Sequence, residues 1–138
     1  MSDAKQQGAA VVREMLGEPF LAGMEQVATG GGPGAGLAAR AIEDCYGHYW
    51  TDSRLDRRSR SLVTLGMVIA LRADGEIKNH VRAALANGVT RAEIEAIIEH
   101  AVPYLGYPAA GNALAKAMEV LGAGPMDVTF GGGKGPGS

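Results

Sequence analysis

Apolar residues recur along most of the chain at intervals of three and four positions, the spacing that places side chains on one face of an α-helix. This pattern predicts helices over residues 3–16, 37–49 and 55–72, a helix capped by Asp74 and ended by Gly88, a helix from the Thr90–Glu93 capping box to Gly106, and a last helix from Pro108 to about Leu121. A short apolar segment, 20–24, follows the first helix. We therefore expect an all-α fold.

Two glycine-rich stretches stand apart from this helical pattern. Residues 29–36 lack the spacing and the preceding strand of a phosphate-binding loop, so we interpret them as a flexible loop. The stretch 126–138 cannot bury apolar surface, and we expect it to be a disordered tail. The remaining residues, 1–125, are long enough to form a single domain with a buried core.

Composition agrees with closely packed helices and narrows the choice of partners. Hydrophobic residues make up 46% of the chain and aromatic residues 5%, so the core must be aliphatic. The net charge is −2, from 13 Lys and Arg against 15 Asp and Glu, without a basic stripe, and we expect no nucleic-acid partner. Neither a signal peptide nor a membrane-spanning apolar run is recognisable, which favours a cytoplasmic location without a membrane partner.

The single cysteine, Cys45, cannot form an internal disulfide and has no second ligand at metal-binding spacing. It lies on the apolar stripe of the 37–49 helix, which predicts a buried side chain. We therefore predict neither a redox function nor a metal site.

Glu76 and His80 lie four residues apart, one turn of a helix, at the margin of its apolar stripe. A carboxylate stacked on an imidazole can hold a proton donor in a partly dry cleft, and the alternative is a surface pair that contributes little. His100 and Tyr104 repeat this spacing on the next helix, where they are either proton donors or residues packed at the edge of the core.

Four arginines lie in the first turns of the 55–72 helix or just before it, at positions 54, 57, 58 and 60. Positive charge at a helix N-terminus opposes the helix dipole. Solvent and counter-charges favour such arginines in most proteins, and an anionic ligand is the alternative.

Three segments carry a family resemblance: LDRRSRSLVTL (55–65), EIKNHVRAALANGVT (76–90) and YLGYPAA (104–110). In order and spacing they resemble the carboxymuconolactone decarboxylase family, over most of residues 8–122. The resemblance implies a bundle of about six helices like that of alkylhydroperoxidase-D, a homo-oligomer (trimer or hexamer) and no cofactor. Related thiol peroxidases have cysteines where this chain has Ala73 and Glu76, so a thiol mechanism is excluded.

The resemblance further implies a carbon–carbon lyase in aromatic-compound catabolism, which decarboxylates a lactone acid, a small anionic substrate whose conjugated carbonyl accepts the electrons. The catalytic candidates are Glu76, His80, His100 and Tyr104, and the substrate-binding candidates are Arg58, Arg60, Trp50, Tyr46 and Asn79. Two other functions stay open. One is a divergent enzyme that isomerises, dehydrates, opens or cyclises a lactone or keto substrate, and the other is a non-catalytic oligomeric binding protein.

Overall fold

The computed structural model describes residues 2–122, and the regular structure in this range is helical. The helices are α1 (Asp3–Leu16), α2 (Glu18–Thr29), α3 (Ala35–Arg40), α4 (Arg57–Leu71), α5 (Asp74–Ala86) and α6 (Arg91–Leu121), and α3 continues directly as a π-helix over Ala41–Tyr49. The predicted all-α fold is confirmed. None of these helices is both long and apolar enough to cross a membrane. The predicted tail at 126–138 lies outside the described residues.

The chain divides into two compact units between Arg57 and Arg58. In the first unit α1 packs against α2 and the π-helix. Aliphatic side chains from all three elements are almost fully buried there, among them Val12, Leu21 and Ile42. These residues form an aliphatic core, as the composition predicts.

Two glycines let α1 and the π-helix approach until their backbones are in contact. A Cβ at Gly8 would lie 1.8 Å from the carbonyl oxygen of Ile42, and a Cβ at Gly47 would lie 2.2 Å from that of Ala4. Ile42 and Gly47 face α1 together because five residues make about one turn of a π-helix.

The prediction that Cys45 is buried is wrong, since its side chain is exposed. That prediction assumed α-helical spacing throughout residues 37–49. In the structure the Trp50 N–H donates to the Cys45 carbonyl oxygen at 3.0 Å, a five-residue interval. The wider turn rotates Cys45 outward, and Tyr46 and Gly47 take buried positions.

α2 is longer than the apolar segment predicted at 20–24. Pro19 lies in its first turn, where a missing N–H removes no helical hydrogen bond. Because α2 extends to Thr29 and α3 begins at Ala35, the stretch 29–36 is helical at both ends and the loop itself is shorter than predicted.

The second unit consists of α4, α5 and α6 around an aliphatic core. The largest fully buried side chains of this core are Leu65, Ile69, Ile77, Val81 and Ile94. α6 begins with the predicted capping box, in which the Thr90 side chain accepts from the Glu93 N–H and the Glu93 side chain accepts from the Thr90 N–H.

Asp74 does not cap α5 as predicted. Ala73 holds the N-cap position, and the Asp74 carboxylate instead accepts a hydrogen bond from the Asn112 side chain at 2.9 Å. This contact joins the start of α5 to the second half of α6.

Gly106 divides α6 into two halves, as the sequence predicts. Its φ of 86° and ψ of 165° are not helical, and this backbone region is accessible essentially to glycine alone. Pro108 then lies in the first turn of the second half, where proline is tolerated. The two halves of α6 can therefore run in different directions.

Candidate active site

A cavity of about 570 Å³ lies in the second unit, between α4 and the first half of α6. Its lining residues are Leu62, Gly66 and Ala70 of α4 and Glu93, Ala96, Ile97, His100, Ala101, Tyr104 and Leu105 of α6. Most of these side chains are small or aliphatic, and the space exists because glycine and alanine occupy the facing positions. A volume of this size fits a small organic molecule.

His100 and Tyr104 bring two proton-donating groups to this cavity. Their ring centroids are 5.3 Å apart and the ring planes are inclined at 59°. The four-residue spacing on α6 stacks them one turn apart, as predicted. An imidazole and a phenol beside an aliphatic wall can donate protons to a bound molecule.

Glu93 lies two turns before His100 on the same face of α6. Its Oε1 accepts a hydrogen bond from the Thr90 N–H at 3.0 Å, and its Oε2 accepts one from Nη2 of Arg58. The Thr90 N–H, followed by the Arg58 guanidinium, lowers the pKa of the Glu93 carboxyl. The cavity therefore has an ion pair at this end and the His100–Tyr104 pair about two to three turns further along.

Glu76 and His80 form the predicted pair on α5. Nε2 of His80 lies 3.4 Å from Oε2 of Glu76. The His80 side chain is buried rather than at the margin, with 6% of the residue exposed, while Glu76 is exposed. Burial lowers the pKa of His80 below its ordinary value of 6.5, and the Glu76 charge offsets this only in part. His80 is therefore neutral at pH 7.

The four catalytic candidates do not line one cavity. His100 and Tyr104 line the cavity of about 570 Å³, and Glu76 and His80 are not among the residues of its wall. The two pairs thus form separate arrangements within the second unit.

The substrate-binding candidates belong to both units. Arg58 contacts the cavity wall through Glu93, and Arg60 is half-buried on α4. Asn79 accepts a hydrogen bond from Arg82 at 3.5 Å. Tyr46 and Trp50 belong to the first unit, where both are buried and their rings stack with centroids 6.3 Å apart.

Sequence reasoning missed the contribution of Glu93 and of the small residues that open the cavity. It assigned Glu93 only to the capping box. A signal was present, because Leu62, Gly66 and Ala70 are spaced by four and share one face of α4. A helix face that lacks bulky side chains indicates either close helix packing or a groove, and only tertiary structure separates the two.

Comparisons with known proteins identify the family. Residues 36–119 match the sequence model of the carboxymuconolactone decarboxylase family, and the chain therefore belongs to it, as the resemblance predicts. The chain is 40% identical over 86 residues to 4-carboxymuconolactone decarboxylase of Acinetobacter baylyi, a span of 60% of this chain and 64% of that protein. It is 36% identical over 109 residues to nitrosuccinic acid decarboxylase of Metarhizium robertsii, a span of 78% of this chain and 74% of that protein. Both relatives are named as decarboxylases.

Proposed function

We propose that this protein is a cofactor-independent decarboxylase of a small anionic acid, which it binds in the cavity of the second unit. The observation that carries the proposal is the composition of that cavity. An aliphatic wall holds the His100–Tyr104 pair and, at the other end, Glu93 paired with Arg58. Membership of a family with two relatives named as decarboxylases supports the same reaction class.

The chemistry needs a substrate that can accept its own electrons. When the bond to the carboxylate breaks, CO₂ leaves and the electron pair moves into a neighbouring acceptor, such as a conjugated lactone carbonyl or a nitro group. A proton then adds to carbon, and no net oxidation or reduction occurs. The substrates named for the two relatives are acids that carry an acceptor of this kind. Such a substrate takes over the task of an electron-sink cofactor.

The chain's own residues then have three tasks. Arg58 binds a carboxylate of the substrate, because a guanidinium recognises planar carboxylates through paired hydrogen bonds. The aliphatic wall around Gly66 and Ala101 favours uncharged CO₂ over the charged carboxylate. His100, with Tyr104 beside it, returns the proton to carbon.

The Glu76–His80 pair is a second candidate for the proton transfer. Its support is the contact between the two side chains at 3.4 Å and the lowered pKa of His80, since perturbed pKa values concentrate at functional sites. A neutral imidazole suits a general base better than the proton donor that the sequence analysis predicts. Variants of the two pairs separate the alternatives.

The experiment is a screen for CO₂ release across lactone acids and nitro acids, followed by variants on the best substrate. His100→Gln should lower kcat by about 10²-fold or more, and Tyr104→Phe by a smaller factor, because each removes a proton donor. Gly66→Leu should abolish activity without unfolding the chain. No atom lies within 4 Å of a Cβ added at Gly66, so the larger side chain can extend into the cavity.

Two outcomes would contradict this assignment. Full activity of Gly66→Leu would show that substrate does not bind in this cavity. Loss of activity in His80→Ala, with His100→Gln unaffected, would place the proton transfer at the other pair. Activity should survive EDTA and the Cys45→Ser substitution, because the mechanism uses neither a metal nor a thiol.

A further inference from the structure

Glu93 contacts two neighbours through different oxygen atoms. Oε1 accepts the backbone N–H of Thr90, and Oε2 accepts a hydrogen bond from Arg58. Glu93 also lines the cavity. The Arg58 guanidinium is therefore held at the cavity wall by a carboxylate that belongs to the protein.

Another carboxylate can replace Glu93 in its contact with Arg58 at a small cost in free energy. The two side chains are 45% and 38% exposed, so solvent screens the pair and its contribution to stability is small. On leaving Arg58, Glu93 keeps its bond to the Thr90 N–H, because that bond uses the other oxygen. A second carboxylate can then make the same contact with Arg58.

We propose that Glu93 occupies the carboxylate-binding position of the cavity, and that the carboxylate of a substrate binds Arg58 by displacing it. Glu93 is on this view a specificity-determining residue, because a neutral molecule cannot displace it from the guanidinium. The inference rests on the proposed function for the class of ligand, a carboxylic acid with a small apolar body. It does not depend on which residue transfers the proton.

The charge of Glu93 makes it an effective competitor near neutral pH. The Thr90 N–H and Arg58 both lower the pKa of its carboxyl, so the side chain is ionised there. Removing this charge should strengthen the binding of an anion, whereas loss of a residue that merely supports the fold should weaken it. The direction of the change in Kd therefore distinguishes a competing carboxylate from a residue that only supports the fold.

The test measures ligand binding without turnover. Cyclopentanecarboxylate and the uncharged cyclopentanecarboxamide are titrated into the full chain and followed by saturation-transfer NMR of the ligand. In Glu93→Gln the Kd of the carboxylate should fall about three- to tenfold at low ionic strength, the range expected from removing one nearby charge. The Kd of the amide should not change. The gain should shrink at about 0.5 M salt, because salt screens exposed charges.

Two control variants make the result specific. Glutamine also serves in a capping box, so Glu93→Gln keeps the start of α6. Thr90→Ala removes the hydroxyl that accepts from the Glu93 N–H but leaves the Arg58–Glu93 pair, and it should bind the carboxylate as the wild type does. Arg58→Gln should lose the preference for carboxylate over amide.

The proposal is overturned if Glu93→Gln binds the carboxylate no more tightly than wild type, if Thr90→Ala reproduces the gain, or if Arg58→Gln still prefers the carboxylate. Failure of the proposed function looks different. In that case the wild type binds the carboxylate through Arg58 but releases no CO₂ from any acid in the screen.

Discussion

At the scale of single residues, burial determines the charge of His80. An imidazole removed from water is harder to protonate, and a carboxylate on the exposed side at 3.4 Å only partly restores the charged form. The neutral form can donate from one ring nitrogen and accept at the other. The contact with Glu76 holds Nε2 on the side of the carboxylate and leaves Nδ1 shielded from solvent.

We predict that this burial makes the stability of the chain sensitive to mild acid. The pKa of His80 is lower in the folded chain than its ordinary value of 6.5, so between these two values the unfolded chain binds more protons. The free energy of unfolding should therefore fall as the pH is lowered through about 6.5, and stop falling below the folded pKa. Urea unfolding of wild type and His80→Gln at a series of pH values measures the difference between their free energies of unfolding. The other titrating groups are the same in both proteins, so their contributions cancel in this difference. Parallel curves would contradict a buried neutral His80.

The same residue supports a kinetic prediction. If His80 transfers the proton, His80→Ala should lower kcat by about 10²-fold or more with the oligomeric state unchanged. Glu76→Gln should reduce kcat less, and should move the limb of the pH–rate profile that reports His80 to lower pH, because Glu76 raises the pKa of His80. Full kcat in both variants would leave the pair without a catalytic function and make His100 and Tyr104 the candidates.

At the scale of the helices, the contact of α1 with the π-helix depends on two positions without side chains. We predict that Gly8→Ala and Gly47→Ala each destabilise the chain by about 1–3 kcal/mol, the usual cost of overpacking. Each added Cβ would collide with a backbone carbonyl oxygen, which cannot turn aside as a side chain can. Urea unfolding monitored by circular dichroism measures the change.

Gly23→Ala is the matched control for these two substitutions. Gly23 lies inside α2 with no atom within 4 Å of its added Cβ, so alanine should be neutral or should stabilise the helix by about 0.5–1 kcal/mol. Equal destabilisation by all three substitutions would mean that loss of glycine, rather than the close backbone contact, is responsible.

Local patterns predicted the helices well where the deciding interactions lie within one turn. The Thr90–Glu93 capping box and the break at Gly106 are such features, and both are present. The π-helix was not predicted, because an α-helical period of 3.6 residues places Cys45 on the buried face of the helix. The burial of His80 is not predicted either, because it depends on tertiary packing around α5. For the same reason the sequence indicated His100 and Tyr104 as candidates but not the cavity that they line.

At the scale of the whole molecule, one face of α4 remains apolar and exposed. Val63, Met67 and Leu71 are spaced by four on this face and are 53%, 54% and 76% exposed. On α6, Tyr104 and Tyr107 are 76% and 78% exposed. Large exposed apolar side chains arranged in a stripe are typical of protein interfaces rather than of a monomer's surface. This observation supports the homo-oligomer that the family resemblance implies.

We predict that the chain forms a homo-oligomer of at least three subunits, with the α4 stripe in the contact. Burial of apolar surface between subunits would drive assembly, and a closed symmetric ring would cover the stripe in every copy. Sedimentation or light scattering at micromolar concentration should give at least three times the chain mass of 14.2 kDa. Met67→Glu should shift the population to smaller species, because it places a charge in the apolar contact. Ser53→Glu, at an exposed polar position, adds the same charge and should leave assembly unchanged. A monomeric wild type would contradict the prediction, and an oligomer that resists Met67→Glu would place the contact on another surface.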